Sequence, residues 1–213
     1  MKRTLGIGAL MLLVLAAGCG GNKARSESTS STRATLPAKQ GSADRTSIHL
    51  YTPFDSVSVA AGIRIMRTVS GYCWSSSFAD VRNDAFRCFV GNEIYDPCFA
   101  AQYGSAHYVL CPLYTPDAKV LRIDLARKLP PNSASGDPTR YPPWAVQTIS
   151  GKWCTIITGA SGYIAGMRVE YGCIGGGILL GNPRRATKTW TIFYASSYKA
   201  SQYQLVMLRS AWW

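Results

Sequence analysis

The stretch GYCWSSSFADVRNDAFRCFVGNEIYDPCF, residues 71–99, holds three of the chain's seven cysteines, and its reading decides the fold class. Ser77 is placed to cap a helix, and Asp80 three residues on resembles a capping box with Asp in place of Glu. Val81, Ala85, Phe86 and Phe89 recur at i, i+4, i+5 and i+8, one face of a helix, with Arg82, Asn83, Asp84 and Arg87 on the other. Gly91 stops the pattern. The spacing predicts a helix over residues 77–90, pinned near its end by Cys88, with an Asp84–Arg87 pair on its surface.

On the N-terminal side of that helix, residues 62–69 show partial alternation and β-branched content, a strand, and Ser70-Gly71 reads as the turn that follows it. On its C-terminal side, Asp96-Pro97 reads as a turn anchored by Phe99, and Tyr108-Val109-Leu110-Cys111 as a short strand stopped by Pro112. Leu121, Ile123 and Leu125 alternate with Arg122 and Asp124, a half-buried strand. Residues 129–143 contain five prolines and read as a loop, the internal seam of the chain. From Trp144 onward the pattern is all strand. Ser150-Gly151-Lys152 joins a hairpin, Gly175-Gly176-Gly177 makes a turn, Trp190, Ile192 and Tyr194 alternate, and residues 203–213 form a last strand. The expected class is mainly β with one central helix, an α+β fold. Its C-terminal part, residues 144–213, is expected as a small antiparallel β-barrel or sandwich stapled by disulfides, and residues 48–129 as the helix-containing part of the same domain.

Residues 1–18 stand apart from any fold. Lys2 and Arg3 precede an apolar run, residues 5–17, too short to span a bilayer and suited to a signal peptide. The run ends Leu15-Ala16-Ala17-Gly18-Cys19, which resembles the lipobox of bacterial lipoproteins. The resemblance implies cleavage before Cys19, a diacylglyceryl group on its sulfur, and anchoring at the extracytoplasmic face of the cell membrane; two acyl chains anchor stably where one does not. Residues 20–47 are rich in Ser, Thr, Ala, Gly, Lys and Arg without an aromatic residue, a flexible tether to a body expected from Ile48.

With Cys19 lipidated, six cysteines remain: Cys73, Cys88, Cys98, Cys111, Cys154 and Cys173. An even number in an exported chain reads as disulfides, and six allow about 15 pairings. Proximity in sequence favours Cys73–Cys88, Cys98–Cys111 and Cys154–Cys173. A zinc site is disfavoured: there is no Cys-x-x-Cys, and the two histidines, His49 and His107, lie outside any ligand spacing. No cofactor motif appears; Gly175-Gly176-Gly177 lacks the Lys-Ser/Thr of a phosphate loop.

Catalytic motifs are equally thin. Gly159-Ala160-Ser161-Gly162 lacks the spacing of a nucleophile elbow. Asp80, Asp84, Glu93 and Asp96 lie close enough in sequence for a hydrolytic carboxylate pair near the helix, the alternative to a binding role. Arg184, Arg185 and Lys188 form a basic loop between strands, a candidate site for an anionic envelope polymer or lipid headgroups. The net charge of +12 permits nucleic acid, but an exported address does not offer it.

Two blocks resemble an uncharacterised family of exported lipoproteins of high-GC Gram-positive bacteria. The first runs Cys73-Trp74, residues 82–88, Asp96-Pro97-Cys98-Phe99 and Cys111-Pro112; the second Pro143-Trp144, Gly151 with Cys154, Thr158-Gly159-Ala160, Tyr171-Gly172-Cys173, Trp190-Thr191 and Ala211-Trp212. The resemblance implies an exported, disulfide-bonded domain and brings no catalytic residue. The functional expectation is a membrane-anchored envelope lipoprotein acting as a binding or structural module, with a cell-envelope hydrolase as the alternative.

Overall fold

The computed structural model describes residues 44–56, 58–101, 106–134 and 137–213. The expected signal peptide, Cys19 and the expected tether up to residue 43 lie outside the described residues. The body starts before Ile48: Thr46 is buried, its hydroxyl donating to the Leu208 carbonyl and accepting from the Trp190 N–H.

Two closed β-barrels make up the fold. Ahead of the first come β1 (Ser47–His49) and the small pair β2 (Phe54–Asp55) and β3 (Ser58–Val59). The first barrel is a meander of β4 (Arg64–Ser76), β5 (Ala85–Val90), β6 (Glu93–Phe99), β7 (Tyr108–Pro112) and β8 (Lys119–Leu125). Five strands running alternately up and down close only by pairing first and last in the same direction, and β8 does run parallel to β4, from Arg64↔Lys119 to Gly71↔Leu125.

The second barrel consists of β9 (Ala145–Thr148), β10 (Trp153–Ile156), β12 (Met167–Cys173), β13 (Ile178–Arg184), β14 (Thr191–Ala195) and β15 (Gln204–Trp212), with a short β11 (Tyr163–Ile164) folded onto β12. An even number closes antiparallel, and β15 pairs back onto β9 with Trp212 opposite Ala145. Strand β1 adds in parallel to the far half of β15.

The central helix is not there. Among the described residues the only helical element is a three-residue 3-10 turn, Pro138–Arg140, so the fold is all-β rather than α+β. Residues 77–84 form turns, and Ala85, Phe86 and Phe89 belong to β5. The reason lies in how β5 is covered. Phe86 and Cys88 face the core of the first barrel with Val109, Leu121 and Ile123. Ala85, on the opposite face, is also buried, packed with Trp144 and Ala145 of the second barrel. A strand covered on both faces loses its alternation: Ala85 and Phe86 are both buried, and together with Phe89 they passed for a helical stripe. Ser77 does cap, accepting at Oγ from the N–H groups of Ala79 and Asp80, but it closes a turn. The Asp84–Arg87 pair is replaced by Arg82–Asp84 and Arg87–Asp96.

Two further turns prove to be strand. Gly71 lies inside the long β4, where a Cβ would run into the Phe89 carbonyl oxygen and meet Ile123 Cγ2 at 2.8 Å; glycine is there for close approach. Asp96-Pro97 sits in β6 at a bulge against β5, a position where a strand tolerates proline.

Three disulfides, Cys73–Cys88, Cys98–Cys111 and Cys154–Cys173, each tie neighbouring antiparallel strands. The barrels meet at Tyr51, Ala79, Ala85, Phe99, Trp144 and Ala145, all buried. Phe99 and Trp144 stand with ring centroids 6.4 Å apart, and Tyr51 sits edge-on to Trp144 at 5.6 Å.

Candidate binding cleft between the barrels

A cleft of about 560 Å³ opens where the barrels meet. Arg67 of β4 and residues 93–97 of β6 form one wall. Pro112 at the end of β7, with Leu113 and Tyr114 after it, forms another, and Trp144 and Thr155 of the second barrel complete it. This is within the size range of small-molecule sites.

At the rim, Tyr95 donates its hydroxyl to the Glu93 carboxylate and accepts from Arg67 Nη2 at 3.0 Å. Arg67 and Glu93 stand 3.8 Å apart. Partial burial, and then the Glu93 carboxylate, hold the Tyr95 phenol above its usual range. The group is a fixed array of donors and acceptors, exposed to solvent. Tyr114 is 78% exposed and held at φ +94°, a left-handed backbone costly for a bulky residue. On the inner wall, Trp144 is buried and its indole N–H has no hydrogen-bond partner among the described residues.

Behind the cleft lies a buried charged cluster. Asp96 accepts from the Ser77 hydroxyl, the Phe78 N–H at 3.1 Å and Arg87 Nη1 at 3.0 Å. Arg87 also donates to the Thr158 carbonyl, bridging the barrels. Asp84 is held by Arg82 through two bonds, of 2.9 and 2.7 Å, and Arg82 also reaches the Tyr51 carbonyl at 2.6 Å and lies over the Phe99 ring at 4.5 Å. Asp80 accepts at Oδ1 from the Arg82 N–H, while its Oδ2, 4.0 Å from Arg82 Nε, has no hydrogen bond among the described residues. Desolvation by burial pushes the Asp80 carboxyl up to about 6 and also raises Asp96, each against the pull of its arginine.

The four acidic residues singled out in the sequence therefore divide. Asp80, Asp84 and Asp96 belong to the buried ion-pair network, with Asp84 also bordering a smaller pocket beside Pro53 and Phe54. Glu93 alone stands at the rim with an exposed carboxylate. The basic loop is elsewhere. Arg185 donates to the carbonyls of Thr139 and Tyr141 and stacks on Trp190 and Trp213, a structural role. Arg184 lies over Phe193 at 4.3 Å, and the Lys188 carbonyl accepts from the Thr46 N–H. The six paired cysteines lie in the ladders, outside the cleft. Sequence reasoning passed over Arg67, Tyr95 and Tyr114; a tyrosine framed by Pro112 and Pro116 was the available sign of a constrained, exposed ring. Among the described residues no group of His, Cys, Asp and Glu is arranged to hold a metal, and no helix is long and apolar enough to cross a membrane.

No protein-family model, curated protein or solved structure matches this chain.

Proposed function

We propose that the chain is an envelope lipoprotein, anchored through acyl groups on Cys19, whose two-barrel body binds a cell-envelope polymer in the cleft. The observation that carries this reading is the contrast between the carboxylates and the rim. A hydrolase with a carboxylate pair needs two free groups flanking the scissile bond. Here the Asp96 oxygens are engaged by Ser77, Phe78 and Arg87, and those of Asp84 by Arg82. The open surface instead presents fixed hydrogen-bonding groups and an exposed ring, which suit recognition. Cleavage before Cys19 removes Lys2 and Arg3 and takes the net charge from +12 to +10, which favours anionic polymers over neutral ones of the same shape.

Co-sedimentation with isolated cell-wall material tests the reading. The chain pellets with the wall, and Tyr114→Ala or Arg67→Ala weakens the association while both variants stay folded. Equal pelleting by all three would refute the cleft as the site. Anchoring is tested separately: Cys19→Ala abolishes lipid labelling and moves the protein to the soluble fraction, and unchanged labelling would refute it.

A further inference from the structure

Beyond the cleft, the outward face of the first barrel carries an aromatic strip where solvent-facing strands normally carry polar residues. Tyr72, Phe89 and Ile94 are register partners across β4, β5 and β6, so they form one row spanning three strands. Tyr72 and Phe89 stack at 5.7 Å with planes only 23° apart. Trp74, two residues along β4 from Tyr72 and the extra residue of a bulge between the Cys73 and Ser75 pairings, faces out with it and stands edge-on to Phe89 at 5.5 Å. Trp74 is 51% exposed, Ile94 48% and Tyr72 38%. The Arg127 guanidinium lies 3.8 Å over the Tyr72 ring at the far end of the row. Ile94 at the near end is also a lining residue of the cleft. Strip and cleft are thus one continuous surface.

We infer that this surface binds an extended β-linked pyranose chain, with its end in the cleft and its following rings along Ile94, Phe89, Tyr72 and Trp74; the inference rests on the cleft being the binding site. A pyranose ring has an apolar C–H face that stacks on aromatic rings and a rim of hydroxyls that seeks donors and acceptors at its sides. Trp74 and Ile94 supply the exposed apolar surface, braced by Phe89 and by a Tyr72 ring that Phe89 and Arg127 already contact, and the Arg67–Tyr95–Glu93 group supplies the hydrogen-bonding partners at the end. β-Linkage keeps successive sugar faces in one ribbon, so a row of side chains at strand spacing, about 4.8 Å, meets successive rings. A lipid surface would use the apolar rings but not the hydrogen-bonding array to which the row leads, so the glycan is the occupant the geometry favours.

The test uses the full chain carrying Cys19→Ser, so that no acyl group contributes, with β-1,4-linked oligomers of N-acetylglucosamine and of glucose as probes, each as dimer and hexamer. Tryptophan fluorescence and calorimetry read the affinity. At least one series binds, the hexamer about tenfold more tightly than the dimer, as stacking on two further rings provides. Trp74→Ala and Tyr72→Ala remove the length preference and leave dimer affinity unchanged; Tyr114→Ala weakens dimer and hexamer alike. Both strip residues are exposed, so circular dichroism of the variants matches the parent. Failure of both series to bind, or a hexamer preference that survives Trp74→Ala, overturns the inference. Binding of anionic phospholipid vesicles that is lost in Trp74→Ala, without oligomer binding, also overturns it and makes the strip a membrane-facing surface. Dimer binding untouched by Tyr114→Ala, with the length preference still lost in Trp74→Ala, refutes the cleft reading instead.

Discussion

Cys73 stands directly opposite Cys88 across the β4–β5 ladder, so their disulfide locks a register. The same holds for Cys154 and Cys173 across β10 and β12. The sequence separation at Cys73–Cys88 is 15, and a loop of that length restricts the unfolded chain by about 3 kcal/mol. The double variant Cys73→Ala/Cys88→Ala is expected to lose about that much stability in urea unfolding. Alkylation of the denatured, unreduced protein should label none of the six ladder cysteines. A label on any of them, or an unchanged urea midpoint in the double variant, contradicts the arrangement.

The barrels are expected to unfold together because they share Tyr51, Phe99 and Trp144 at their junction. Trp144→Ala removes the largest of these and should cost about 3–5 kcal/mol. Calorimetry of the parent should show a single transition that broadens or splits in this variant. Phe86→Ala carries a similar cost, but Phe86 lies in the core of the first barrel, so the transition should fall in temperature and remain single. Two transitions in the parent protein would show that the junction does not couple the barrels.

How much of this was legible follows from coverage. Strands with one wet face could be read: Leu121 and Ile123 are buried, and Trp190, Ile192 and Tyr194 lie on the core side of the second barrel. The C-terminal hairpin at Gly151 and the glycine turn after Cys173 were also visible, because their chemistry is local. The segment around β5 was not. At Ala85 its outer face is covered by Trp144 and Ala145, a contact between residues far apart in sequence, and there alternation vanished with the solvent. Trp74 shares the outward face with Tyr72 by strand alternation, but the turn expected at Ser70-Gly71 hid the strand that carries both. The cleft was illegible for a related reason: Arg67, Tyr95, Tyr114 and Trp144 meet only after both barrels have closed.

Stability should fall as pH rises through the range set by Asp80. Burial raises its folded-state pKa from 3.8 to about 6. Between those values the folded chain holds a proton that the unfolded chain has released, so stability decreases with rising pH. The full difference is roughly 3 kcal/mol, complete above the folded value. Asp96 is raised for the same reason and adds to the same trend. Asp80→Asn should flatten much of the slope between pH 4 and 7 and be the more stable form at neutral pH. Parallel pH profiles for parent and variant would show that Asp80 is not the source.

Arg82 holds Asp84, the Tyr51 carbonyl and the face of Phe99 at once. Arg82→Ala leaves buried carboxylates without their counter-charge, which costs about 3–5 kcal/mol. Arg82→Lys keeps the charge but lacks the planar fork that grips Asp84 twice, so it should recover only part of the loss. Urea unfolding at pH 7 decides it; full recovery by lysine would mean that charge alone matters at this position.

Tyr114 offers a case in which stability and binding should move in opposite directions. Its φ of +94° is a strained conformation for a tyrosine, and with 78% of the residue exposed there is little packing to offset the strain. Such outliers cost about 1–3 kcal/mol and collect at binding sites, where the surrounding structure holds a ring in place for a ligand. Glycine adopts this backbone freely, although it also gains freedom in the unfolded chain, worth about 0.5–1 kcal/mol. Tyr114→Gly is therefore expected to stabilise the protein by about 1 kcal/mol net and to weaken association with cell-wall material. Tyr114→Ala keeps the strain and loses the ring, so it should weaken association as much with no gain in melting temperature. If Tyr114→Gly neither melts higher than Tyr114→Ala nor binds the wall less than the parent, the strained tyrosine is not a binding device, and the cleft loses its most exposed contact.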